Sequence, residues 1–298
     1  MTSPKTPKFH RQRFLLLLLQ QAGGSLSKMD FQKLLFLSQQ TPEFSYYDFV
    51  PYHYGCYSFQ AQSDMELLEK FGWVSIGKSD INLLVQPSGW LNQTEYSVLK
   101  RFLEGLKGLR GRKLVSHVYE QYPYYAIRSR IAEDVLDKKA SRMVSDAGKE
   151  LRSEETRLFT IGYEGISFEG YINRLIKNDI RLLCDVRKNP LSRKFGFSKS
   201  NLSTLLPKLG IEYRHMPDLG IESEKRTDLN TEADYIQLFE EYRETLPNKK
   251  DSLNRLEEML SNHKRIALTC FEKEHESCHR HCVSDYLERE RGFGVSHL

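Results

Sequence analysis

The chain has 298 residues, of which 39% are hydrophobic and 28% are charged, a composition typical of a soluble globular protein with two domains. Its longest apolar run, residues 14–19, is too short to cross a membrane, and its charged start lacks a secretory pattern, so we expect neither a membrane protein nor a secreted one. Five cysteines in this length indicate a reducing, cytoplasmic setting with free or metal-bound thiols rather than a disulfide framework.

The basic side chains are unevenly distributed along the chain. Residues 1–150 contain 20 Lys and Arg against 15 Asp and Glu, whereas the remainder contains 24 and 25. A basic half indicates a nucleic acid or an acidic protein as partner, and we expect DNA rather than RNA. A solvated surface without a charged partner explains so small an excess equally well.

The first half has the order of elements that is typical of a winged helix, namely short helices followed by a small hairpin. An aromatic segment, residues 46–57, interrupts the helices and predicts a strand that ends at Gly55. Ser27 and Ser58 are suitable N-caps, because a serine hydroxyl there accepts from a free backbone N–H. The predicted elements are helices over 9–21, from Ser27 and from Ser58, a hairpin of 73–76 with 82–85, and helices over 93–105 and 112–121. We therefore predict a mainly helical, winged-helix-like domain over residues 1–150.

Two short motifs in this half resemble the SocA-like (Panacea) antitoxin families and their winged-helix-like relatives. They are Lys33-Leu34-Leu35 and Tyr54-Gly55-Cys56-Tyr57-Ser58, within a resemblance that covers roughly residues 9–135. The resemblance implies a binding or regulatory module rather than an enzyme.

A winged helix binds DNA through a helix in the major groove and basic side chains on the phosphates. The aromatic segment 46–57 would either stack on exposed bases or pack in the core. Use of the module for protein contact or for a homodimer remains open. The candidate phosphate contacts are Arg110, Arg112, Lys113, Arg128 and Arg130.

The second half alternates strands with helices, which predicts a mostly parallel open sheet with helices on both faces over residues 157–298. We place the junction between the domains near residues 152–156. Ser167 and either Ser198 or Ser200 are suitable N-caps for two helices. The predicted strands are 158–162, 181–186, 211–216 and 265–269, and the predicted later helices are 232–245, 251–262 and 278–289.

Four motifs in this half, in this order, resemble the DUF488 family, which is named for its unknown function. They are TIGYEG (160–165), DVRKNPLSRKFGFSK (185–199), YRHMPDLG (213–220) and LTCFEKEHESCHR (268–280). The resemblance implies an α/β fold and brings no established reaction with it. The chain departs from the family at Leu219-Gly220-Ile221, where a glycine pair is common, so the substrate preference would differ there.

Polar residues follow each predicted strand, and the carboxyl ends of parallel strands open on one edge of a sheet. Several arginines beside glycine turns and helix N-termini predict a site for phosphate, a nucleotide or a nucleic-acid backbone. Alternatively, Asp185 and Arg187 pair with each other or with Arg280 and lock the loops. The candidate ligand-binding residues are Tyr163, Glu164, Arg187, Ser192, Arg193, Arg214, His215 and Arg280.

The candidate catalytic residues are Asp185, Glu272, Cys278 and His279. Asp185 and Glu272 would serve as general acid or base or bind a divalent cation. A helix N-terminus with neighbouring His279 and Arg280 would lower the pKa of the Cys278 thiol and favour a nucleophile, although a structural role is equally consistent.

Cysteine chemistry has further alternatives. Cys270 follows its strand where a rhodanese-like sheet places a nucleophile, but a buried cysteine more often acts as a small hydrophobic residue. We expect no constitutive metal site, and zinc is the alternative, because Cys278 and Cys282 are four residues apart and would share one helix face. The candidate zinc ligands are Cys270, His275, Cys278 and Cys282, with His279 beside them.

These features predict a nucleic-acid-associated protein whose second domain binds and acts on a phosphate-bearing substrate. By analogy alone, prokaryotic defence, repair or DNA modification would suit the pair of domains. The alternatives are a non-enzymatic regulator or antitoxin-like sensor with a nucleotide effector site, and a cysteine-dependent sulfur-handling enzyme.

Overall fold

The computed structural model describes residues 4–87, 93–226 and 229–298. The chain forms two compact units, Met1–Glu150 and Leu151–Leu298. Within the described ranges, no helix is both long enough and apolar enough to span a bilayer.

The N-terminal unit is mostly helical. Its helices are α1 (His10–Gln21), α2 (Lys28–Ser38), α3 (Phe59–Lys70), α4 (Gln93–Gly105), α5 (Arg112–Gln121), α6 (Ala132–Val135) and α7 (Lys138–Lys149). Its strands are β1 (Ser25–Ser27), β2 (Val50–Tyr52), β3 (Gly55–Tyr57), β4 (Val74–Ile76) and β5 (Asp80–Leu83). An antiparallel sheet with the order β1–β5–β4 joins the strand after α1 to the hairpin after α3.

Local sequence signals account for the main helices of this unit. The Ser27 and Ser58 hydroxyls accept from the backbone N–H of Asp30 and Ala61, which confirms both predicted N-caps. The apolar run of α1, residues 14–19, is fully buried, so α1 lies in the core of the unit.

The prediction of a single strand ending at Gly55 is wrong. The segment forms an antiparallel ribbon in which β2 turns back into β3. Gly55 allows this turn because its φ of +92° lies in the left-handed region. The buried Lys33 ammonium donates to the carbonyl oxygens of Tyr54 and Cys56, so the two SocA-like motifs contact each other at this turn.

The C-terminal unit contains a five-stranded sheet in which every strand pair is parallel, which confirms the predicted α/β class. Its strands are β6 (Arg157–Gly162), β7 (Leu182–Asp185), β8 (Glu212–His215), β9 (Arg265–Cys270) and β10 (Val295–His297), in the order β10–β6–β9–β7–β8. The helices around it are α8 (Phe168–Lys177), α9 (Lys199–Leu205), α10 (Glu232–Thr245), α11 (Lys250–His263) and α12 (Arg280–Arg291).

The strand register brings the predicted polar motifs to one edge of the sheet. Cys270 at the end of β9 pairs with Gly162 at the end of β6. On the other side of β9, Asp185 pairs with Thr269, and Asp185 also pairs with His215 of β8. Four carboxyl ends therefore meet at this edge, as expected for parallel strands.

One of the two alternative N-caps predicted for α9 is confirmed, because the Ser198 hydroxyl accepts from the backbone N–H of Asn201. Helix α12 begins at Arg280 rather than at Cys278. The short strands β1 and β10 were not predicted, because three residues carry too weak a periodic signal.

Gly162 has a packing role at the end of β6. A Cβ atom at this position would lie 1.7 Å from the carbonyl oxygen of Glu272. The loop after β9 therefore crosses directly over Gly162, and the backbone N–H groups of Tyr163 and Glu164 both donate to the carbonyl oxygen of Phe271. Only glycine permits this approach of two backbones.

We predict that Gly162→Ala destabilises the C-terminal unit by about 1–3 kcal/mol, because the loop must move to make room for the methyl group. Urea unfolding followed by circular dichroism measures this. Tryptophan fluorescence would not report on the C-terminal unit, because both tryptophans, Trp73 and Trp90, lie in the first 150 residues. Gly294→Ala is the matched control, because its Cβ would lie 3.6 Å from the Arg157 guanidinium carbon, an ordinary contact. Equal stability of the two variants would contradict the prediction.

Candidate functional site

A cavity of about 490 Å³ opens at the carboxyl edge of the sheet. One wall is the basic loop after β7, residues 187–194, and the other is the start of the loop after β9, residues 270–272. Tyr163, which follows β6, and Ile221 complete the lining. The cavity thus lies where the strand order predicts a ligand site.

A buried ion pair forms the base of the basic loop. Asp185 is 0% exposed and Arg187 is 6% exposed. The Arg187 Nε and Nη2 atoms donate to the two carboxylate oxygens of Asp185 at 2.8 and 2.5 Å. The Tyr213 hydroxyl donates to the same carboxylate at 2.7 Å. A two-pronged contact of this kind is among the strongest that a guanidinium makes.

Arg187 also ties neighbouring elements together. Its Nη1 atom donates to the Tyr163 hydroxyl at 2.8 Å and to the carbonyl oxygen of Phe197 at 3.0 Å. Burial acts to lower the pKa of Arg187, but the hydrogen bonds and charge of Asp185 prevail and raise it. Because every guanidinium nitrogen donates to a protein oxygen, Arg187 shapes the wall of the cavity rather than offering a free cation. The alternative prediction, in which Asp185 and Arg187 pair with each other, is confirmed.

The other basic side chains of the loop differ in whether they form ion pairs or hydrogen bonds within the protein. The Lys188 ammonium pairs with Glu222 at 2.5 Å, and the Lys194 ammonium donates to the carbonyl oxygen of Tyr163 at 2.6 Å. Partial burial lowers the pKa of Lys194. Arg193 is exposed and has no partner among the described residues. Arg193 is therefore the cation on the cavity wall that is most available to a ligand.

A cluster of two thiols and an imidazole lies next to the cavity. The Sγ atoms of Cys270 and Cys278 lie 3.7 and 3.8 Å from Nδ1 of His279. The other ring nitrogen of His279 donates to the carbonyl oxygen of Val186 at 3.0 Å. The Nδ1 atom of His279 therefore faces the two sulfurs. Cys270 belongs both to this cluster and to the lining of the cavity.

The expected lowering of the Cys278 pKa is wrong. Burial raises the pKa of this thiol well above its ordinary value, and the neighbouring Cys270 and Glu272 raise it further, whereas Arg280 opposes them. Cys278 also precedes the first residue of α12, so the helix N-terminus does not include it.

Arg280 fixes the loop after β9 through hydrogen bonds to its backbone. Its Nη1 and Nη2 atoms donate to the carbonyl oxygens of Glu272 and Lys273 at 2.6 and 2.8 Å. Arg280 is 1% exposed, and its buried Nε atom has no hydrogen-bond partner among the described residues. Glu164 accepts from the backbone N–H of Lys273 at 3.1 Å and supports the same loop.

The structure separates the candidate residues into three groups. Those that line the cavity are Tyr163, Arg187, Ser192, Arg193 and Glu272. Those that contact its walls or the neighbouring cluster are Glu164, Asp185, His215, Cys278, His279 and Arg280. Arg214 is outside both groups, because it alternates on β8 with Tyr213 and His215, whose side chains contact Asp185 and Arg187.

The predicted zinc ligands do not come together as a set of four. His275 stacks on His297 with ring centroids 3.6 Å apart. The Sγ atom of Cys282 lies 3.5 Å from Nε2 of its neighbour His281. Only Cys270 and Cys278 of the predicted set share a cluster, and His279 is the third member.

Some residues of the site were not singled out from the sequence. Lys194 and Phe271 line the cavity, and Tyr213 binds the Asp185 carboxylate. The alternation of Tyr213 with His215 on one strand would have indicated the last contact. The positions of Lys194 and Phe271 depend on loop conformation, for which the sequence carries no periodic signal.

The candidate nucleic-acid contacts lie at the start of α5 and in the segment before α6. Arg112 and Lys113 are exposed, and Arg112 also donates to the carbonyl oxygen of Asp134. Arg110 donates to the carbonyl oxygen of Leu109, Arg128 is half-buried, and Arg130 lies 3.2 Å from Nε2 of His53. A second cavity, of about 670 Å³, includes Arg112, Lys33 and Tyr54 in its lining.

Comparison with known families finds a match within the second unit. Residues 167–287 match the family described as Domain of unknown function DUF488, which confirms the resemblance in the C-terminal half. The match begins after the TIGYEG motif and ends within α12. No curated protein matches the chain. The resemblance of the N-terminal half to SocA-like families stays a prediction.

We predict that Asp185→Asn destabilises the C-terminal unit by about 3–5 kcal/mol, because it leaves the buried Arg187 charge without its partner. Hydrogen exchange of the β7 and β8 amides measures the change in this unit directly. Asp218→Asn is the matched control, since the Asp218–Arg255 pair is 62% and 63% exposed and contributes about 1 kcal/mol or less. A loss for Asp185→Asn no larger than that of the control would refute the role of the buried pair.

Proposed function

Given that the C-terminal half carries a DUF488 domain, we propose that this domain binds and acts on a phosphate-bearing ligand, either a nucleotide or a nucleic acid. The observation that carries the proposal is the cavity at the carboxyl edge of the sheet. Four basic residues line it. Arg187 and Lys188 pair with Asp185 and Glu222, so the positive charges left for a ligand are those of Arg193 and Lys194, and Glu272 is the acidic residue in the described lining. A concave site with this balance of charge favours an anion.

Among the candidate catalytic carboxylates, Glu272 is the one that lines the cavity. Asp185 accepts from Arg187 and Tyr213 and is fully buried, so it supports the wall instead of reaching a ligand. A general acid or base must lie within hydrogen-bonding reach of the reacting group. We therefore assign acid–base chemistry in this proposal to Glu272.

We further propose that the N-terminal unit is a winged-helix module that binds DNA. The three helices α1, α2 and α3 followed by the β4–β5 hairpin, with β1 paired to β5, support this proposal, and the β2–β3 ribbon is an addition between α2 and α3. Helix α3 is poorly suited to read the major groove, because its exposed face carries Glu66 and Glu69 beside Lys70. The basic residues at the start of α5 are better suited to contact phosphates.

The exposed face of α3 supports a second function for this unit, which is protein binding. Leu67 and Phe71, on and just after α3, are 40% and 56% exposed. Exposed apolar side chains suit a protein contact, and the acidic side chains beside them repel the phosphates of DNA. Protein binding by this unit would suit a homodimer, or the alternative in which the protein is a regulator or sensor. Binding of a nucleotide by the C-terminal domain without turnover would support the regulator or sensor alternative.

Cysteine-dependent chemistry is the second candidate function of the cavity. Cys270 lines the cavity and lies 3.7 Å from a ring nitrogen of His279, an arrangement in which imidazole accepts a thiol proton. All five cysteines are free thiols, in keeping with a reducing, cytoplasmic setting. Inactivation by a thiol-alkylating reagent would favour this chemistry over that of Glu272. Defence, repair or DNA modification remains an analogy for the biological setting.

We predict that Arg193→Ala weakens the binding of ATP and of pyrophosphate at least about tenfold, since a charge-assisted hydrogen bond contributes about 1.5–3 kcal/mol. Isothermal titration calorimetry measures both ligands. Lys208→Ala is the control, because Lys208 is exposed and precedes β8, at the opposite edge of the sheet. Failure of the wild-type protein to bind either ligand, or equal weakening by the control, would contradict the proposed anion site.

For the N-terminal unit, we predict that the double variant Arg112→Ala/Lys113→Ala binds duplex DNA more weakly. The slope of log Kd against log salt should fall by about 2, because each lost phosphate contact removes about 0.9. Fluorescence anisotropy with a labelled duplex of mixed sequence gives the slope. Lys138→Ala/Lys139→Ala removes two exposed cations at the start of α7 and should leave it unchanged. An unaltered slope in the first variant would favour protein binding instead.

A further inference from the structure

The cluster of Cys270, Cys278 and His279 has the composition of a site for a soft metal ion. Their ligand atoms all lie within 4.8 Å of one another, and all three residues are buried. Thiolate sulfur and imidazole nitrogen are the ligands that zinc prefers in proteins. The three residues come from the end of β9 and from the segment just before α12.

The distances within the cluster suit tetrahedral coordination. Zinc with bonds of about 2.3 Å to sulfur and about 2.0 Å to nitrogen places these two ligand atoms about 3.5 Å apart. The two sulfurs of the cluster lie 3.7 and 3.8 Å from Nδ1 of His279. The two sulfur–nitrogen distances therefore need to shorten by only a few tenths of an ångström, and the two sulfurs already lie within 4.8 Å of each other.

The orientation of His279 is already that of a metal ligand. Its Nε2 atom donates to the carbonyl oxygen of Val186 at 3.0 Å, which leaves Nδ1 as the acceptor that faces the sulfurs. Metal-binding histidines commonly donate their second ring nitrogen to a backbone carbonyl in this way. Val186, the residue directly after β7, thus fixes the orientation of the His279 ring, and the ring does not need to rotate before the metal binds.

We propose that Cys270, Cys278 and His279 bind Zn²⁺. Two thiolates and Nδ1 supply three bonds, and the two thiol protons pass to solvent when the ion enters. Three protein ligands leave a fourth position for water or a ligand atom, as in catalytic rather than structural zinc sites. Cys270 also lines the 490 Å³ cavity, so the ion would adjoin the ligand site. This inference goes beyond the proposed function and does not depend on the ligand in the cavity.

The test uses the whole 298-residue chain, purified with a phosphine reductant, stripped with a chelator and titrated with Zn²⁺ or Co²⁺ alone. We expect one ion per chain, and the Co²⁺ form should show the charge-transfer absorption of thiolate ligands. Cys278→Ser should lose stoichiometric binding. Cys282→Ser is the matched control, since Cys282 is equally buried, belongs to the predicted zinc set and has its sulfur beside His281; it should bind as the wild type does.

Circular dichroism shows whether each variant is folded, and the wild-type Co²⁺ spectrum tests the site even if Cys278→Ser fails to fold. Absence of thiolate charge transfer in the wild type would overturn the proposal. So would stoichiometric binding by folded Cys278→Ser, or loss of binding in folded Cys282→Ser. Failure of ATP or pyrophosphate to bind would leave these metal results unaffected, which separates this inference from the anion site.

Discussion

The buried ion pair between Asp185 and Arg187 is the interaction on which the carboxyl edge of the sheet depends. Asp185 ends β7, and its carboxylate also accepts from Tyr213 of the neighbouring strand β8. Arg187 reaches across the end of β9 to the Tyr163 hydroxyl, which follows β6. A single guanidinium therefore links the ends of strands that are not adjacent. Because an unpaired charge is costly at this depth, the geometry of the edge is tightly constrained.

The same ion pair determines which side chains of the basic loop are available to a ligand. Arg187 anchors its beginning, and the Phe197 ring anchors its end by stacking on Tyr163 at 4.4 Å. Gly196 makes the second anchor feasible, since its φ is +87° and a Cβ there would overlap the Phe168 ring. Between the anchors, Asn189, Leu191 and Arg193 are exposed, and Arg193 carries the available positive charge. One arginine is thus used for rigidity, and another remains for a ligand.

Much of this architecture could be predicted from the sequence, because its signals are local. The buried strands appear as apolar runs, and Ser27, Ser58 and Ser167 are recognisable caps that accept the expected backbone N–H groups. Strands β1 and β10 have no such signal. They exist through pairing with β5 and β6, which depends on residues that are distant in sequence.

The site was less predictable than the fold, for reasons that individual residues make clear. Arg187 and Arg193 occur in one loop and look alike in sequence, but burial and four donated hydrogen bonds distinguish the first. Cys278 and Cys282 are four residues apart, yet α12 begins only at Arg280, so the spacing does not place both on one helix face. His279 takes the third position of the cluster because Val186, far away in the chain, accepts from its ring.

Cys270 connects the proposals made for the C-terminal unit, because it lies both in the cluster and on the cavity wall. A zinc-bound thiolate shares its electron pair with the metal, so zinc binding and nucleophilic chemistry at Cys270 compete for one sulfur. A zinc ion beside the cavity would instead add positive charge to a lining that is already basic, which favours an anionic ligand. The metal inference therefore agrees with phosphate binding and argues against sulfur chemistry at the same residue.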